Sequence, residues 1–359
     1  MAPAHTDVIV IGAGISGLAV AHLLREKGKS VLLLEAQAKL GGRIQSVFHS
    51  VSGQFIGDLG PTWVWPSYQP VINRWLTKLK LETFDQYDEG QAVMDHGPEQ
   101  APQVGFMPGQ VGNVRVKGGS QALVDALAHQ LPVEVIKTGH LVNRIEFVDS
   151  ALFVVCENGA SFPCSQVIVA IPPRVALATI DWQNHLGDKV LVALGSMPTW
   201  MAQHAKAVAV YEKPFWRIQG LSGRFASRVG PIVEGHDHSG PEGTPSALFG
   251  FIGWPHDMRK QANSGLVTAV RDQLVRCFGD QAAHPVGIHI EDWSENKFAA
   301  APEDLVGAMH HPTVGPDVLR MPHIDGRVLF AGAECAIQSP GLIEGAFASA
   351  EYAVQIITG

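Results

Sequence analysis

A glycine-rich turn close to the start of the chain restricts the possible folds more than any other feature. An apolar strand leads directly into Gly12, Gly14 and Gly17, which have the G-x-G-x-x-G spacing. A helical segment and a second apolar strand, Val31–Leu34, follow, and the second strand ends at Glu35. Such glycines bind a dinucleotide when they stand between a strand and a helix in this order. The sequence therefore predicts a βαβ unit with a dinucleotide at its turn.

Each residue of this motif has a separate physical role. Gly12 makes the tight turn, Gly14 lets the backbone approach a pyrophosphate, and Gly17 lets the helix pack closely on the strand. The N-terminus of the helix offers free N–H groups to the phosphates. Glu35 is placed to accept hydrogen bonds from ribose hydroxyls. Two alternatives are a βαβ unit without a ligand and a membrane helix over residues 8–24, but that run is barely long enough to span a bilayer and contains glycines.

The composition excludes several classes of protein. The net charge is −8 over 359 residues, whereas a nucleic-acid-binding protein needs a basic surface. The four cysteines form no C-x-x-C pair, which indicates neither a zinc site nor a disulfide framework. The first strand begins by Asp7, which leaves no room for a signal peptide, and no apolar tail ends the sequence. We therefore expect a cytoplasmic protein that binds neither nucleic acid nor a membrane.

Patterns along the rest of the chain predict further elements. Residues 84–114 are rich in Gly, Pro and Gln, as a linker or binding loop would be. Ser120 is predicted as the N-cap of an amphipathic helix. Apolar or alternating runs predict strands, several of them antiparallel, at 133–136, 141–148, 152–156, 166–171, 205–211, 247–252 and 286–293. Helical spacing occurs at 72–79 and 266–278.

The C-terminal end mirrors the N-terminal end. Residues 328–334 read as a buried strand that ends in a glycine turn, and residues 341–357 read as a closing helix. The N-terminus of that helix would face the far end of a long cofactor, where its dipole favours negative charge. Both ends of the chain are therefore predicted to hold one cofactor.

In combination these segments resemble the flavin-containing amine oxidase family, which includes monoamine and polyamine oxidases. The resemblance covers most of the chain. The matching parts are residues 7–43, 57–62, 117–131, Val142, 167–173, 206–216, the strand that ends at Trp293, and 329–346.

The resemblance implies an α/β fold with a Rossmann-like FAD-binding domain of the two-dinucleotide-binding type. An α+β substrate domain, built on a mixed or antiparallel sheet, would be inserted into it. The FAD-binding domain would comprise residues 1–75, 112–195 and 296–359. The substrate-binding domain would comprise residues 76–111 and 196–295.

The resemblance also implies which residues hold the cofactor. Gly42 and Arg43, after Glu35, favour FAD over NAD, and Pro302 stands where relatives with covalent flavin carry a cysteine, so the FAD should be noncovalent. The implied contacts are pyrophosphate over the glycine turn, adenine at Val142 and ribityl or pyrophosphate groups near Glu334. The full set is Gly12, Gly14, Ile15, Ser16, Gly17, Glu35, Ala36, Gly42, Arg43, Gly60, Pro61, Thr62, Val142, Trp293, Gly332, Glu334, Gly341 and Leu342.

Lys206 is the implied catalytic residue. It precedes Trp216 by the spacing of the family's flavin-facing lysine, which holds a water near flavin N5 and assists the reaction with O₂. If Lys206 points into an apolar interior, burial depresses its pKa. The pattern alone also fits a surface lysine on an edge strand.

The substrate region departs from the family. Two aromatic rings flank the amine in monoamine oxidases, but the corresponding positions are Glu303 and Leu342. The candidate lining residues are Trp63, Trp65, Trp216, Phe298 and Leu342. The segment between Trp75 and Lys117 is also short for the family, which predicts a more open cavity or one completed by a partner.

The function implied is the oxidation of a C–N bond in a small amine by hydride transfer to flavin N5, with O₂ as the acceptor and H₂O₂ as a product. Two alternatives remain: a C–C desaturase or dehydrogenase of an apolar substrate, and a flavin-binding partner subunit without turnover. No metal is expected, because the histidines at 236, 238, 310 and 311 lie among Gly and Pro and are predicted to be solvated loop residues. The sequence leaves a homodimer open.

Overall fold

The architecture is an α/β fold built around two large β-sheets. A computed structural model describes residues 5–109, 112–306 and 311–359. Within these ranges, no helix has the length and apolar character needed to cross a bilayer.

The strands and helices in the described ranges follow one another throughout the chain. The strands are β1 (Thr6–Ile11), β2 (Val31–Leu34), β3 (Ser46–Phe48), β4 (Phe55–Asp58), β5 (Thr83–Asp85), β6 (Gln91–Asp95), β7 (Gln103–Gly105), β8 (Val114–Val116), β9 (Ile136–Lys137), β10 (Val142–Val148), β11 (Ala151–Cys156), β12 (Ser161–Val169), β13 (Ala205–Tyr211), β14 (Leu221–Ser227), β15 (Ile232–Asp237), β16 (Ser246–Ile252), β17 (Gly287–Asp292) and β18 (Val328–Phe330). The helices are α1 (Ile15–Glu26), α2 (Pro70–Leu79), α3 (Gln121–Ala128), α4 (Pro173–Thr179), α5 (Asp188–Ser196), α6 (Phe215–Ile218), α7 (His256–Ala262), α8 (Gly265–Phe278) and α9 (Ile343–Thr358).

The first sheet carries the glycine turn. Its strand order is β10-β11-β12-β1-β2-β9, and β18 pairs with the second half of β12. The strands β9, β2, β1, β12 and β18 run parallel, whereas β10, β11 and β12 form antiparallel pairs. Buried residues of α1, α3 and α9 pack on one face, and those of α4 and α5 pack on the other. Parallel strands covered by helices on both faces are typical of a dinucleotide-binding sheet.

The second sheet lies beside the first and is mixed. Its strand order is β17-β13-β16-β15-β14-β6-β7, in which only β14 and β6 pair in parallel. The residues of α8 pack against one face in a core that includes Phe225 and Val270. The opposite face packs, through Val208 and Phe249, against Leu59 of the segment after β4. The division into two domains stays a prediction, although the strands of this sheet come from residues 91–105 and 205–292.

The central strand β13 has both faces buried. Ala205, Ala207 and Ala209 point into the core under α8. Side chains alternate along a strand, so Val208 and Val210 point the other way and pack with Leu59. Lys206 has the same parity as these two valines and therefore faces the glycine-turn side of the molecule. Because β13 lies between β17 and β16, the alternative of an edge-strand lysine is wrong.

Other local predictions are wrong in whole or in part. Residues 84–114 are predicted as a linker or binding loop, but the described part of this range contains β6 and β7 and overlaps β5 and β8 at its ends, and β6 extends the second sheet. Ser120 is the N-cap residue of α3, as predicted, but its hydroxyl donates to the carbonyl oxygen of Pro61 at 2.6 Å and makes no capping hydrogen bond to the helix. Residues Val133–Val135 form a 3₁₀ turn, and only Ile136–Lys137 after them is a strand.

Candidate active site

One cavity connects the glycine turn with the second sheet. Its volume is about 360 Å³, within the range of ligand-binding cavities. Residues after β1, β2 and β4, the segment before β13, and the start of α9 all line it. The residues predicted to bind the cofactor that line it are Gly12, Gly14, Ile15, Ser16, Glu35, Ala36, Gly42, Arg43, Gly60, Pro61, Thr62, Val142, Trp293, Gly332, Gly341 and Leu342.

The glycine turn has the geometry that an anion requires. The backbone of Gly12 has φ +96°, a conformation that favours glycine. The helix α1 begins after Gly14 without a capping side chain, so its first N–H groups remain available to a ligand. Gly17 does not line the cavity, because it packs against the turn instead. A Cβ atom at Gly17 would lie 1.8 Å from the carbonyl oxygen of Gly12.

Glu35 fixes the turn as well as lining the cavity. It is buried, and its Oε2 accepts the N–H of Ala13 at 2.7 Å. Its Oε1 accepts the N–H of Gln37 at 2.8 Å. Burial raises the pKa of Glu35, and these two backbone hydrogen bonds oppose the rise. Each carboxylate oxygen has a further lone pair, so Glu35 can still accept hydrogen bonds from ribose hydroxyls.

The C-terminal end of the chain closes the same cavity. Gly332 follows β18, and Gly341 and Leu342 precede α9, so the N-terminus of α9 lies at the wall. The hydroxyl of Ser16 donates to the carbonyl oxygen of Ala331 and thereby joins the two chain ends.

Glu334 does not line the cavity, contrary to the contact implied for it. Its fully buried carboxylate binds Arg43, with Nη1 at 2.7 Å from Oε1 and Nη2 at 3.0 Å from Oε2. Arg43 therefore lies between Glu334 and the cavity, which it lines. Glu334 holds that guanidinium in place from behind.

Lys206 is buried at the cavity wall. Its Nζ donates to the carbonyl oxygen of Gly60 at 2.9 Å and to the hydroxyl of Thr62. The ammonium group lies 4.3 Å from the centre of the Phe249 ring, where a cation–π attraction is favourable. Burial lowers the pKa of Lys206 to about 7; the charge of Asp58 opposes this change and that of Arg115 adds to it. The amine can therefore gain or lose a proton near neutral pH.

The buried carboxylate of Asp58, which interacts with the charge of Lys206, supports the segment from Asp58 to Thr62. Asp58 accepts hydrogen bonds from the Ser46 hydroxyl at 2.6 Å and the Ser120 N–H at 3.0 Å. Burial raises the pKa of Asp58, whereas the charges of Lys206 and Arg115 lower it. The indole N–H of Trp293 donates to the carbonyl oxygen of Leu59 at 3.0 Å. These contacts position the two acceptors of Lys206.

The predicted solvated histidines at 236 and 238 are in fact buried. His236 and Asp237 belong to β15, which pairs on both sides, and His238 follows it. His238 accepts the backbone N–H of Asp58 through Nε2 at 2.7 Å. Burial lowers the pKa of His238 well below its usual value, so the ring is neutral. The residues of this His-Asp-His sequence are therefore held by contacts inside the protein and are not solvated.

His310 lies outside the described residues, and the ring of His311 contacts that of Trp200 with centroids 4.8 Å apart. Among the residues that the structure describes, no group of three or more His, Cys, Asp or Glu is arranged to hold a metal.

Four of the five proposed substrate-lining residues lie at the cavity, namely Trp63, Trp65, Phe298 and Leu342. Trp216 does not. It is fully buried in the core under α8, and its indole N–H donates to Asp237 at 2.8 Å. The prediction for Trp216 is therefore wrong, because its ring fills the core on the far face of the second sheet.

Sequence reasoning missed several residues of the wall. Trp200, Met201 and His204 precede Lys206, and Phe251 lies on β16 opposite Lys206. The spacing of two residues between His204 and Lys206 could have indicated that His204 lines the cavity, because alternate residues of an extended chain point to the same side. Phe251 could not be found this way, since its pairing with Lys206 depends on strand register.

The comparisons with known proteins agree with this architecture. The model of the family described as flavin containing amine oxidoreductase matches residues 99–358. A model of a NAD(P)-binding Rossmann-like domain matches residues 10–79. A probable flavin-containing monoamine oxidase A of Dictyostelium discoideum is 22% identical, over 96% of this chain and 95% of that protein.

Solved structures show the same fold. Cyclohexylamine oxidase from Brevibacterium oxydans superposes with a TM-score of 0.81 at 21% identity, covering 98% of this chain and 99% of that one. Putrescine oxidase bound to putrescine superposes with a TM-score of 0.79 at 20% identity, covering 99% of this chain and 100% of that one. Because the family model spans well over half of the sequence, the chain belongs to the family of flavin-containing amine oxidoreductases.

Proposed function

We propose that this protein oxidises a C–N bond of a small amine with noncovalent FAD and O₂. The observation that carries the proposal is the position of Lys206, which is buried in a central strand and lines the cavity that begins at the glycine turn. Bound FAD would supply the acceptor for a hydride from the α-carbon of the amine. Family membership favours this reaction over C–C desaturation.

The residues of this chain would bind and orient the reactants. The glycine turn and Arg43 would hold the pyrophosphate, Glu35 the adenosine ribose, and Val142 the adenine. The aromatic wall would keep water from the reacting carbon. Lys206 would place a positive charge beside the site where O₂ is reduced, and such preorganised charge is a large source of rate enhancement.

The cysteines support noncovalent binding. All four, at 156, 164, 277 and 335, are buried free thiols, and none lines the cavity. Pro302 begins a 3₁₀ turn away from the wall. A thioether to the flavin would therefore require a cysteine that the wall does not provide.

The direct test is spectroscopic. The purified protein should be yellow, should release FAD on acid denaturation, and should be bleached by amines without oxygen. Admission of air should then restore the colour and produce one H₂O₂ per amine oxidised. A protein that stays colourless after incubation with FAD would contradict the proposal.

Glu35→Ala tests the cofactor assignment. The substitution removes the ribose acceptor and two hydrogen bonds that fix the turn. Since a hydrogen bond to a charged group contributes about 1.5–3 kcal/mol, we expect the Kd of FAD to rise about 10- to 100-fold. Titration of the apoprotein with FAD, followed by flavin fluorescence, measures this change. Glu157→Ala, at an exposed position, is the control, and an equal Kd in both variants would refute the assignment.

The charges of the wall favour a monoamine with an apolar body. Among the described residues that line the cavity, Glu35 is the only carboxylate, and it lies at the nucleotide end. The other ionisable residues there are Arg43, His140, His204 and Lys206. No Asp or Glu occurs among the residues outside the described ranges. A second ammonium group would be buried without an anionic partner, which is unfavourable.

Two amines of equal length test this preference. We expect kcat/KM for n-hexylamine to exceed that for 1,6-diaminohexane by about tenfold or more, because an unpaired buried charge costs about 1–3 kcal/mol or more. Initial rates of H₂O₂ formation at one pH provide both values. Equal or faster turnover of the diamine would exclude the monoamine preference and leave amine oxidation itself intact.

A further inference from the structure

One histidine of the cavity wall has no role in the site described above. His204 lies directly before β13, two residues from Lys206, and both residues line the cavity. Its Nδ1 is buried and has no hydrogen-bond partner in the part of the chain that the structure describes. Because Nδ1 is itself buried, a molecule bound in the cavity would meet the imidazole at another atom of the ring.

The backbone holds His204 firmly in this position. Its carbonyl oxygen accepts the N–H of Trp293, and its own N–H donates to Met201, both at 3.0 Å. The guanidinium of Arg259 donates to the carbonyl oxygen of the preceding residue, Gln203, at 2.9 Å. Arg259 is itself fixed by two contacts with Asp292, at 2.6 and 2.7 Å. The backbone that carries the imidazole is therefore fixed at the N-terminal end of the central strand β13.

Burial, together with the charge of Arg259, favours the neutral form of His204. Lys206 lies on its own strand, Glu291 and Asp292 on the adjacent strand β17, and Arg259 on α7. Arg43 also lines the cavity. Burial lowers the pKa of His204, and the charge of Arg259 lowers it further. At pH 7 the ring is thus an uncharged group with a free nitrogen lone pair.

The chemistry of the proposed function requires such a group. Aliphatic amines are protonated near pH 7, because their pKa resembles the value of about 10.4 for lysine. An ammonium group has no lone pair with which to expel a hydride from its α-carbon. It also meets the positive charges of Arg43 and Lys206 in a cavity where, among the lining residues that the structure describes, the one carboxylate lies at the other end.

We propose that His204 is a catalytic residue that accepts the proton of the substrate ammonium. This inference rests on the proposed amine oxidation. One N–H bond of the ammonium breaks, its electron pair stays on the amine nitrogen, and an N–H bond forms on the imidazole. The products are a neutral amine and an imidazolium, so no oxidant is needed in this step. Because the pKa of His204 is low, the imidazolium then releases its proton to water.

Replacement of His204 tests the role through the pH dependence of flavin reduction. For His204→Gln, we expect anaerobic reduction by n-hexylamine at pH 7 to be about 100-fold slower, as for loss of a general base. The deficit should shrink as the pH rises and disappear above about pH 11, where the free amine itself predominates, because the pKa of the amine is about 10.4. Added imidazole should restore the rate of His204→Ala. His289→Gln is the matched control, because His289 lies on β17 and does not line the cavity.

A second measurement needs no turnover. tert-Butylamine has no α-hydrogen and cannot be oxidised, so it probes binding alone. In protein with ¹⁵N-labelled histidine, the His204 signals, assigned by their loss in His204→Gln, should report a neutral ring at pH 7 and shift when tert-butylamine is added.

Three outcomes would overturn the inference: signals that do not respond to the amine, a rate deficit equal at all pH values, or no deficit at all. If instead no amine reduces the wild-type flavin while the His204 signals still respond, the proposed oxidation fails and amine binding at His204 stands.

Discussion

Lys206→Met is expected to slow the reaction of reduced flavin with O₂ about 100-fold, with less than a threefold effect on flavin reduction by amine. The physical reason is the position of the ammonium group, which Gly60 and Thr62 fix at the cavity wall. Loss of one preorganised group that stabilises developing charge typically lowers a rate about 10²- to 10³-fold. Methionine keeps the length and apolar body of the side chain, so packing is largely preserved. Stopped-flow mixing of reduced protein with oxygenated buffer measures the step directly.

The pH dependence of reoxidation provides an independent check on Lys206. Burial lowers the pKa of this lysine to about 7, so the cation predominates below that pH and the neutral amine above it. If the cation assists, the wild-type rate constant should fall as the pH rises through about 7, and that of Lys206→Met should not change there. Lys213→Met, an exposed lysine just after β13, should behave as wild type. Equal slowing of both half-reactions by Lys206→Met would show a structural effect instead.

The parts of the fold that the sequence predicted are those with local signals. The glycine motif, the helix after it and the acid at the tip of β2 stand within thirty residues of one another, and the structure confirms each element. β13 agrees in both bounds with the predicted run at 205–211. Apart from Lys206, its residues are small or apolar, which indicates a strand buried on both faces. In these regions the residues within one segment were sufficient to predict the secondary structure.

The errors occurred where distant residues decide the structure. β6 looks like a loop in the sequence, but its residues pair with β14 more than a hundred positions later, as in the pair Val93 and Phe225. His238 sits among glycines and is nevertheless buried, because the backbone of Asp58 donates to it. Trp216 follows Lys206 at the family spacing, yet the alternation of strand faces and the helix after β13 place it in another core. Periodicity within a segment cannot report such long-range contacts.

Gly17→Ala is expected to abolish FAD retention. The added Cβ would lie 1.8 Å from the carbonyl oxygen of Gly12, and neither backbone can move without opening the turn. Such overpacking typically destabilises a protein by about 1–3 kcal/mol. Displacement of α1 would also withdraw its free N–H groups from the phosphates. If two hydrogen bonds to charged oxygens are lost, at about 1.5–3 kcal/mol each, the Kd of FAD rises more than 100-fold.

Gly265→Ala is the matched control for this substitution. Gly265 is the first residue of α8, and a Cβ there meets no atom within 4 Å. Alanine favours a helix over glycine by about 1 kcal/mol, so this variant should bind FAD normally and melt at the same or a higher temperature. The flavin-to-protein absorbance ratio and thermal unfolding separate the two substitutions. Full flavin content in Gly17→Ala would mean that α1 need not pack this closely on the turn, and the placement of the phosphates at its N-terminus would then be wrong.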